Sequence, residues 1–260
     1  MTPDLLDNIR QVARVLAEAK QACCMTGAGV SAESGVATFR GPDGLWEGRR
    51  PEEVATPEAF HRDPEDVWRF YLMRRQQLGD RRPNPGHRAL AALDRLVPQF
   101  TVLTQNVDGL HRAAGSRDVI ELHGDVWINR CTGDRRAPVG PPCPEVRGTP
   151  EDGFEQIPHC PACGSLMRPG VVWFGEMLPR EAFARAERIA GECQVMLVVG
   201  TSSVIYPAAG LALVASGSGA TVVEVNPDST PLSARADYCL PGPSGELLPV
   251  LVEELEKLRG

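Results

Sequence analysis

Five short apolar runs constrain most strongly what this chain can fold into: Ala22-Cys-Cys-Met-Thr26, Phe100-Thr-Val-Leu103, Val119-Ile-Glu-Leu122, Val195-Met-Leu-Val-Val199 and Thr221-Val-Val-Glu-Val225. Each is too short for a helix and continuous rather than alternating, so each reads as a strand buried on both faces. Helical patterns separate several of them, notably Gly86 to Leu96 and Arg180 to Ala190, and an opening helix fits Leu5, Ile9, Val12, Leu16 and Ala19 on one face. Strands alternating with helices imply a parallel, doubly wound sheet covered on both sides, so the predicted fold class is α/β. Two stretches break the alternation. About Pro42 to Pro85 holds a punctuated helix, with Asp63 as cap, Pro64 in its first turn and Gly79 at its end. About Val126 to Pro169 is poor in apolar residues and rich in cysteine, and both stretches read as insertions.

Polar clusters follow the strand runs, which is where open α/β sheets bind ligands. The first run continues as Gly27-Ala-Gly-Val-Ser-Ala-Glu-Ser-Gly-Val-Ala-Thr-Phe-Arg-Gly41. Bare glycine N–H groups in a tight turn at a strand's carboxyl end suit a pyrophosphate, although glycine loops also serve as plain turns. The second run leads into Gln105, Asn106 and Asp108, which could equally be a turn. The third leads into His123, either a satisfied structural histidine or a general base with a pKa near working pH. Gly200-Thr-Ser-Ser203 and Val225-Asn-Pro-Asp228 follow the last two and offer amides and hydroxyls to a phosphate or ribose. Together these ends describe one shared crevice.

The chain has a formal net charge of −7, which disfavours generic nucleic-acid binding. Asp4, Asp7 and Glu18 interrupt any signal-peptide pattern, and no apolar run nears the roughly 20 residues that span a bilayer. A cytoplasmic monomer without membrane or nucleic-acid partners is the expectation. Of the eight cysteines, Cys23, Cys24, Cys193 and Cys239 adjoin strand-like runs and read as buried reduced thiols. Cys131, Cys143, Cys160 and Cys163 crowd a Pro- and Gly-rich stretch, which favours metal over disulfides. Cys160-Pro-Ala-Cys163-Gly164 is a zinc knuckle, but its partner half reads Cys131-Thr-Gly-Asp134. The fourth ligand is then Asp134, at the expected spacing, or Cys143, the softer and favoured donor, and any zinc is structural.

The glycine-loop segment, Thr104-Gln-Asn-Val-Asp-Gly-Leu-His111, Leu122-His-Gly124, Val172-Trp-Phe-Gly-Glu176 and Gly200-Thr-Ser202 resemble, in order, the signature motifs of the sirtuins, NAD-dependent protein-lysine deacylases. The resemblance runs from about Ala22 to Gly245. It implies a Rossmann-like NAD-binding domain of residues 1–41, 86–125 and 171–260, a helical insertion at 42–85 carrying the acyl pocket, and a zinc-binding module at 126–170. Gly27, Ala28, Gly29, Ser31, Ala32, Thr38, Phe39, Arg40 and Trp46 would hold the pyrophosphate, its ribose and the nicotinamide side. Gln105, Asn106, Val107 and Asp108 would organise the nicotinamide ribose and carboxamide. Gly200, Thr201, Ser202, Asn226 and Ser244 would hold the adenosine half. His123 would be the general base, acting with Asn106 and Asp108, and Val172, Trp173 and Phe174 would line the acyl-lysine tunnel. NAD would be consumed, yielding nicotinamide, O-acyl-ADP-ribose and free lysine on acylated protein substrates. The acid that a dehydrogenase places on ribose about 20 residues on is not evident. Ala37 stands where most sirtuins carry proline, which relaxes φ and predicts weaker NAD binding.

Tyr71 and Arg74 share a helix face three residues apart. Read alone, they are a core tyrosine and a solvated surface arginine. The resemblance gives them another role, because a Tyr-x-x-Arg pair here is similar to the class III branch, whose members remove succinyl and malonyl groups. Arg74 and the Tyr71 hydroxyl would grip the distal carboxylate, and Ala55 matches the small residue that widens that branch's pocket. Two other readings keep parts of this picture: an NAD-dependent ADP-ribosyltransferase on the same fold, and a non-enzymatic zinc-ribbon binding module.

Overall fold

A computed structural model describes residues 1–38, 50–133, 143–149 and 156–259. In chain order the elements are α1 (Pro3–Glu18), β1 (Gln21–Thr26), α2 (Ala28–Ala32), α3 (Pro51–Val54), α4 (Pro57–Arg62), α5 (Pro64–Gly79), α6 (Pro85–Leu96), β2 (Gln99–Thr104), α7 (Leu110–Ala113), β3 (Val119–Glu121), β4 (Gly124–Cys131), β5 (Val146–Arg147), β6 (Met167–Val171), α8 (Arg180–Glu192), β7 (Val195–Val199), α9 (Gly210–Gly217), β8 (Thr221–Asn226), β9 (Tyr238–Pro241) and α10 (Ser244–Arg259). Local sequence punctuates the helices. Asp63 accepts a hydrogen bond from the Asp66 N–H at 3.0 Å and so caps α5. Asn84 does the same for α6 through the His87 N–H at 3.2 Å.

Strands β3-β2-β1-β7-β8-β9 form one parallel sheet in that order. Side chains alternate across it. Ala22, Cys24, Val195, Leu197 and Val199 join the core under α1, α6 and α10, while Cys23, Met25, Met196 and Val198 join the core under α8 and α9. Burial on both faces is why these runs lack a polar period. The chain builds outward from β1 through β2 to β3, then returns to β7 on the other side of β1, so the strand order reverses between β1 and β7. Register aligns Thr26 with Thr104 and Val199, and Val199 with Val225. All the polar strand ends therefore open on one edge, at a topological switch point.

A second sheet, β5-β4-β6, is antiparallel. It packs with α3, α4 and α5 on a third core that includes Val54, Phe60, Trp68, Cys160, Met167, Val171 and Trp173. The Trp68 Nε1–H donates to the Met167 carbonyl at 2.9 Å, and buried Arg75 donates to the Val126 carbonyl at 2.8 Å and to Asn129 Oδ1 at 2.6 Å. The helical stretch and the cysteine stretch thus share one interior. One cysteine departs from expectation: Cys23, Cys24 and Cys193 are buried, but Cys239 is exposed because β9 is the sheet's edge strand. Among the described residues no helix is long and apolar enough to cross a membrane.

Candidate functional site

The glycine loop owes its composition to close packing. A Cβ at Gly27 would lie 2.8 Å from Thr201 Cβ, and one at Gly29 would lie 2.7 Å from the Gly200 carbonyl oxygen. The Gly27 and Gly29 amides donate to the carbonyls of Val199 at 3.1 Å and Gly200 at 2.8 Å. The expectation of bare glycine amides is therefore corrected for these two positions. Their bonds seal the β1 loop onto the β7 loop across the switch point, which leaves no room for a side chain.

Beneath this seam the strand ends are linked in a row. Asn226 Nδ2 donates to the Thr201 carbonyl at 2.8 Å, and Gln105 Nε2 donates to Thr201 Oγ1 at 3.1 Å. The Gln105 carbonyl in turn lies 2.9 Å from His123 Nδ1. A carbonyl only accepts, so Nδ1 carries the proton and Nε2 is left as the basic nitrogen. Burial lowers the His123 pKa below its usual value, partly offset by the Gln105 contact, so the ring is neutral at pH 7. The His123 carbonyl accepts from the Val172 N–H at 2.8 Å, which ties His123 to the segment carrying Trp173 and Phe174.

A second buried network surrounds Ser31. The Asn84 N–H meets His87 Nδ1 at 3.4 Å, so Nδ1 accepts and Nε2 donates to Ser31 Oγ at 3.3 Å. Ser31 Oγ also accepts from Asn106 Nδ2 at 3.1 Å and donates to Asp108 Oδ2 at 2.7 Å. Asp108 Oδ1 takes the Leu110 N–H at 2.9 Å, while desolvation raises the carboxyl pKa. His111 Nε2 lies 2.8 Å from Thr26 Oγ1, and its ring packs 4.9 Å from that of His87. Burial holds His87 down to about 4 and His111 down to about 3, so both are neutral. Among the described residues, buried Asn106 Oδ1 has no hydrogen-bond partner. An orphaned amide oxygen at a strand end fits a ligand that brings N–H or O–H groups, as a carboxamide and a ribose do.

The remaining sequence-predicted residues fall into place unevenly. Ala28, Val107 and Thr38 are half-buried, whereas Ala32 and Ser202 are exposed on the same rim. Ser244 is buried at the start of α10, and its hydroxyl donates to Glu33 Oε1 at 2.9 Å, just behind α2. Phe39, Arg40, Trp46 and Asp134 lie outside the described residues. His87 and His111 were not singled out from sequence. The signal for His87 is the Asn84-Pro-Gly-His87 cap, which resembles any helix start.

The residues expected at the acyl pocket lie in and beside the third core. Arg74 is not solvated: it is buried in α5, with Nη1 2.7 Å from Gln77 Oε1. Tyr71 is also buried, and its hydroxyl accepts from Trp173 Nε1 at 3.0 Å. Ala55 belongs to the same core, and its carbonyl accepts from the Phe174 N–H at 3.0 Å.

The cysteines meet at the far end of β4. The thiol sulfurs of Cys131, Cys143, Cys160 and Cys163 all lie within 4.8 Å of one another, with Cys163 3.4 Å from Cys131 and 3.6 Å from Cys143. Tetrahedral zinc with bonds of about 2.3 Å places its sulfurs about 3.8 Å apart, so this donor set fits that ion. Cys143 completes the set. From Gly124, beside His123, to Cys131 the strand runs roughly 20 Å, which makes a bound zinc structural. Chelation is expected to release one zinc per chain and lower Tm. Cys143→Ser should lose zinc at lower chelator concentration than wild type, and Asp134→Asn should not. The opposite order, read by a zinc dye during titration, would reassign the fourth ligand.

Residues 27–207 match the family model described as Sir2 family. Over 250 residues the chain is 49% identical to a Pyrococcus abyssi protein named NAD-dependent protein deacylase, covering 96% of this chain and 99% of that one. It is similar to the solved structure of a Sir2 homologue–NAD complex, at 45% identity and a TM-score of 0.88, covering 96% of this chain and 94% of that one. It is also similar to the structure of a Sir2 protein bound to a myristoylated histone peptide, at 35% identity and a TM-score of 0.74, covering 97% and 98%.

Proposed function

This chain belongs to the Sir2 family, and on that premise we propose that it is an NAD-dependent protein-lysine deacylase that prefers succinyl and malonyl over acetyl groups. The observation that carries the reaction is His123, neutral, with Nδ1 committed to Gln105 and Nε2 available at the switch-point edge. The observation that carries the preference is Arg74, a cation buried beside Tyr71.

NAD as co-substrate supplies the ADP-ribosyl group that receives the acyl chain as nicotinamide leaves. The β1 and β7 loops, Gly27 to Ser31 with Gly200 to Ser202, hold its phosphates and adenosine side, helped by Asn226 and Ser244. The Ser31–Asn106–Asp108 network orients the nicotinamide end, with Asn106 Oδ1 accepting from the ligand. Holding the reactants in one geometry makes the weakly nucleophilic amide oxygen of acyl-lysine effective. His123 would take a proton from a ribose hydroxyl through Nε2, while Nδ1 keeps its own proton, donated to the Gln105 carbonyl. Val172 and Phe174 line the path of the acyl-lysine, and Ala55 leaves space at its far end. The parallel-sheet segments 1–41, 86–125 and 171–260 form the NAD-binding part. The insertions 42–85 and 126–170 form the acyl pocket and zinc module.

Matched acetyl-, malonyl- and succinyl-lysine peptides incubated with NAD test the reading. Nicotinamide release and loss of the acyl mass are expected with each, fastest for the acidic groups. Equal rates would remove the preference, no nicotinamide release would remove the activity, and a gain of ADP-ribose on the peptide would show transfer instead.

A further inference from the structure

The indole of Trp173 is a donor only, and its Nε1–H reaches the Tyr71 hydroxyl oxygen at 3.0 Å inside the third core. In that contact the phenol oxygen must accept, so the phenolic hydrogen is directed at some other group. Burial also pushes the Tyr71 pKa up, which keeps that hydrogen in place at any physiological pH. The indole itself is held on several sides. The Trp173 backbone N–H donates to Glu176 Oε2 at 2.8 Å, and Glu176 Oε2 accepts from Arg168 Nη2 at 2.9 Å. The Arg168 guanidinium lies 3.4 Å from the indole centroid, and the Phe60 ring packs at 5.4 Å. A phenylalanine could fill the same space between Phe60 and Arg168. What only tryptophan adds is the N–H.

We propose that Trp173 is a positioning residue for acyl selection, whose indole N–H commits the Tyr71 hydroxyl to donating toward the distal carboxylate of an acidic acyl chain. The inference rests on the acidic-acyl reading of this pocket. Without the indole N–H the hydroxyl can rotate and turn a lone pair toward the carboxylate, which repels it. With the N–H in place, a carboxylate beside Arg74 meets a cation and an already oriented O–H, and reorganises neither. An acetyl group has no atom that reaches this pair's chemistry, so the device acts on the acidic chains.

The test compares Trp173→Phe, Tyr71→Phe and the double variant, with kcat and KM measured on succinyl- and acetyl-lysine peptides at saturating NAD. Losing one oriented hydrogen bond to a charged group should lower the succinyl-to-acetyl kcat/KM ratio by about tenfold in Trp173→Phe, chiefly through the succinyl KM. Tyr71→Phe should lower the ratio similarly, and the double variant should fall no further than Tyr71→Phe alone. Each ratio is taken within one protein, so loss of folded enzyme cancels. A Trp173→Phe variant that loses both activities by the same factor, or two effects that multiply in the double variant, would overturn the inference while a wild-type preference stood. A wild type without preference for acidic groups would overturn the acyl reading and this inference together.

Discussion

Replacing His123 with alanine is expected to lower kcat for deacylation by about 10²–10⁴-fold, the range in which a positioned general base contributes. Binding of NAD should survive, because the hydrogen bonds of the β1–β7 seam and the Ser31 network do not pass through the imidazole. A ligand-induced rise in Tm retained by His123→Ala would show this, and its disappearance would recast His123 as a structural residue. The pH profile carries an independent signature. Protonation of Nε2 removes the base, so activity falls as pH drops through the His123 pKa. Burial places that pKa below the ordinary 6.5 despite the opposing Gln105 contact, so the acidic limb should have its midpoint below 6.5. In His123→Ala the residual activity should lack this limb. A wild-type limb above 6.5 would mean that another group controls the proton, and the direction of the burial effect would be wrong.

The same histidine shows why parts of this protein are readable from sequence and others are not. Strands β1, β2, β3, β7 and β8 are legible because burial on both faces forces unbroken apolar runs. Their alignment follows from parallel pairing, so the polar residues after each run, His123 included, had to share an edge. Strand β9 escaped because Tyr238-Cys-Leu-Pro241 is an edge strand buried mainly at Leu240, and β4 and β6 escaped because each carries polar or helix-breaking residues along its length. The role of the glycines was half legible. Their spacing marks a tight turn with bare backbone, but what that backbone packs against is the Gly200 loop, and only the register of β1 with β7 brings that loop alongside. His87 and Trp173 belong to a third class. What matters in each is one ring N–H aimed at a residue 56 or 102 positions away in the chain, and no local pattern encodes that pairing.

Arg74 was a case where sequence alone pointed the wrong way, and its burial makes the second large expectation sharp. Arg74→Met should lower kcat/KM for succinyl- and malonyl-lysine peptides by about 10²–10³-fold, corresponding to loss of a desolvated, charge-assisted contact with the acyl carboxylate. Deacetylation should fall by far less, since an acetyl group offers the guanidinium nothing to bind. Methionine keeps an apolar stem of similar length, so the packing of α5 is preserved. Stability gives a second readout. The Arg74 guanidinium is buried with Nη1 on Gln77 Oε1, so its removal loses that contact and at the same time relieves the cost of desolvating a cation. These effects oppose each other, so Arg74→Met should unfold within a few degrees of wild type, the shift that about 1 kcal/mol produces. A variant that gains or keeps stability while losing acidic deacylation marks a side chain retained for its ligand. A variant that loses stability, with all acyl substrates affected alike, marks a structural arginine, like Arg75 one position on, which is saturated by the Val126 and Asn129 oxygens of β4.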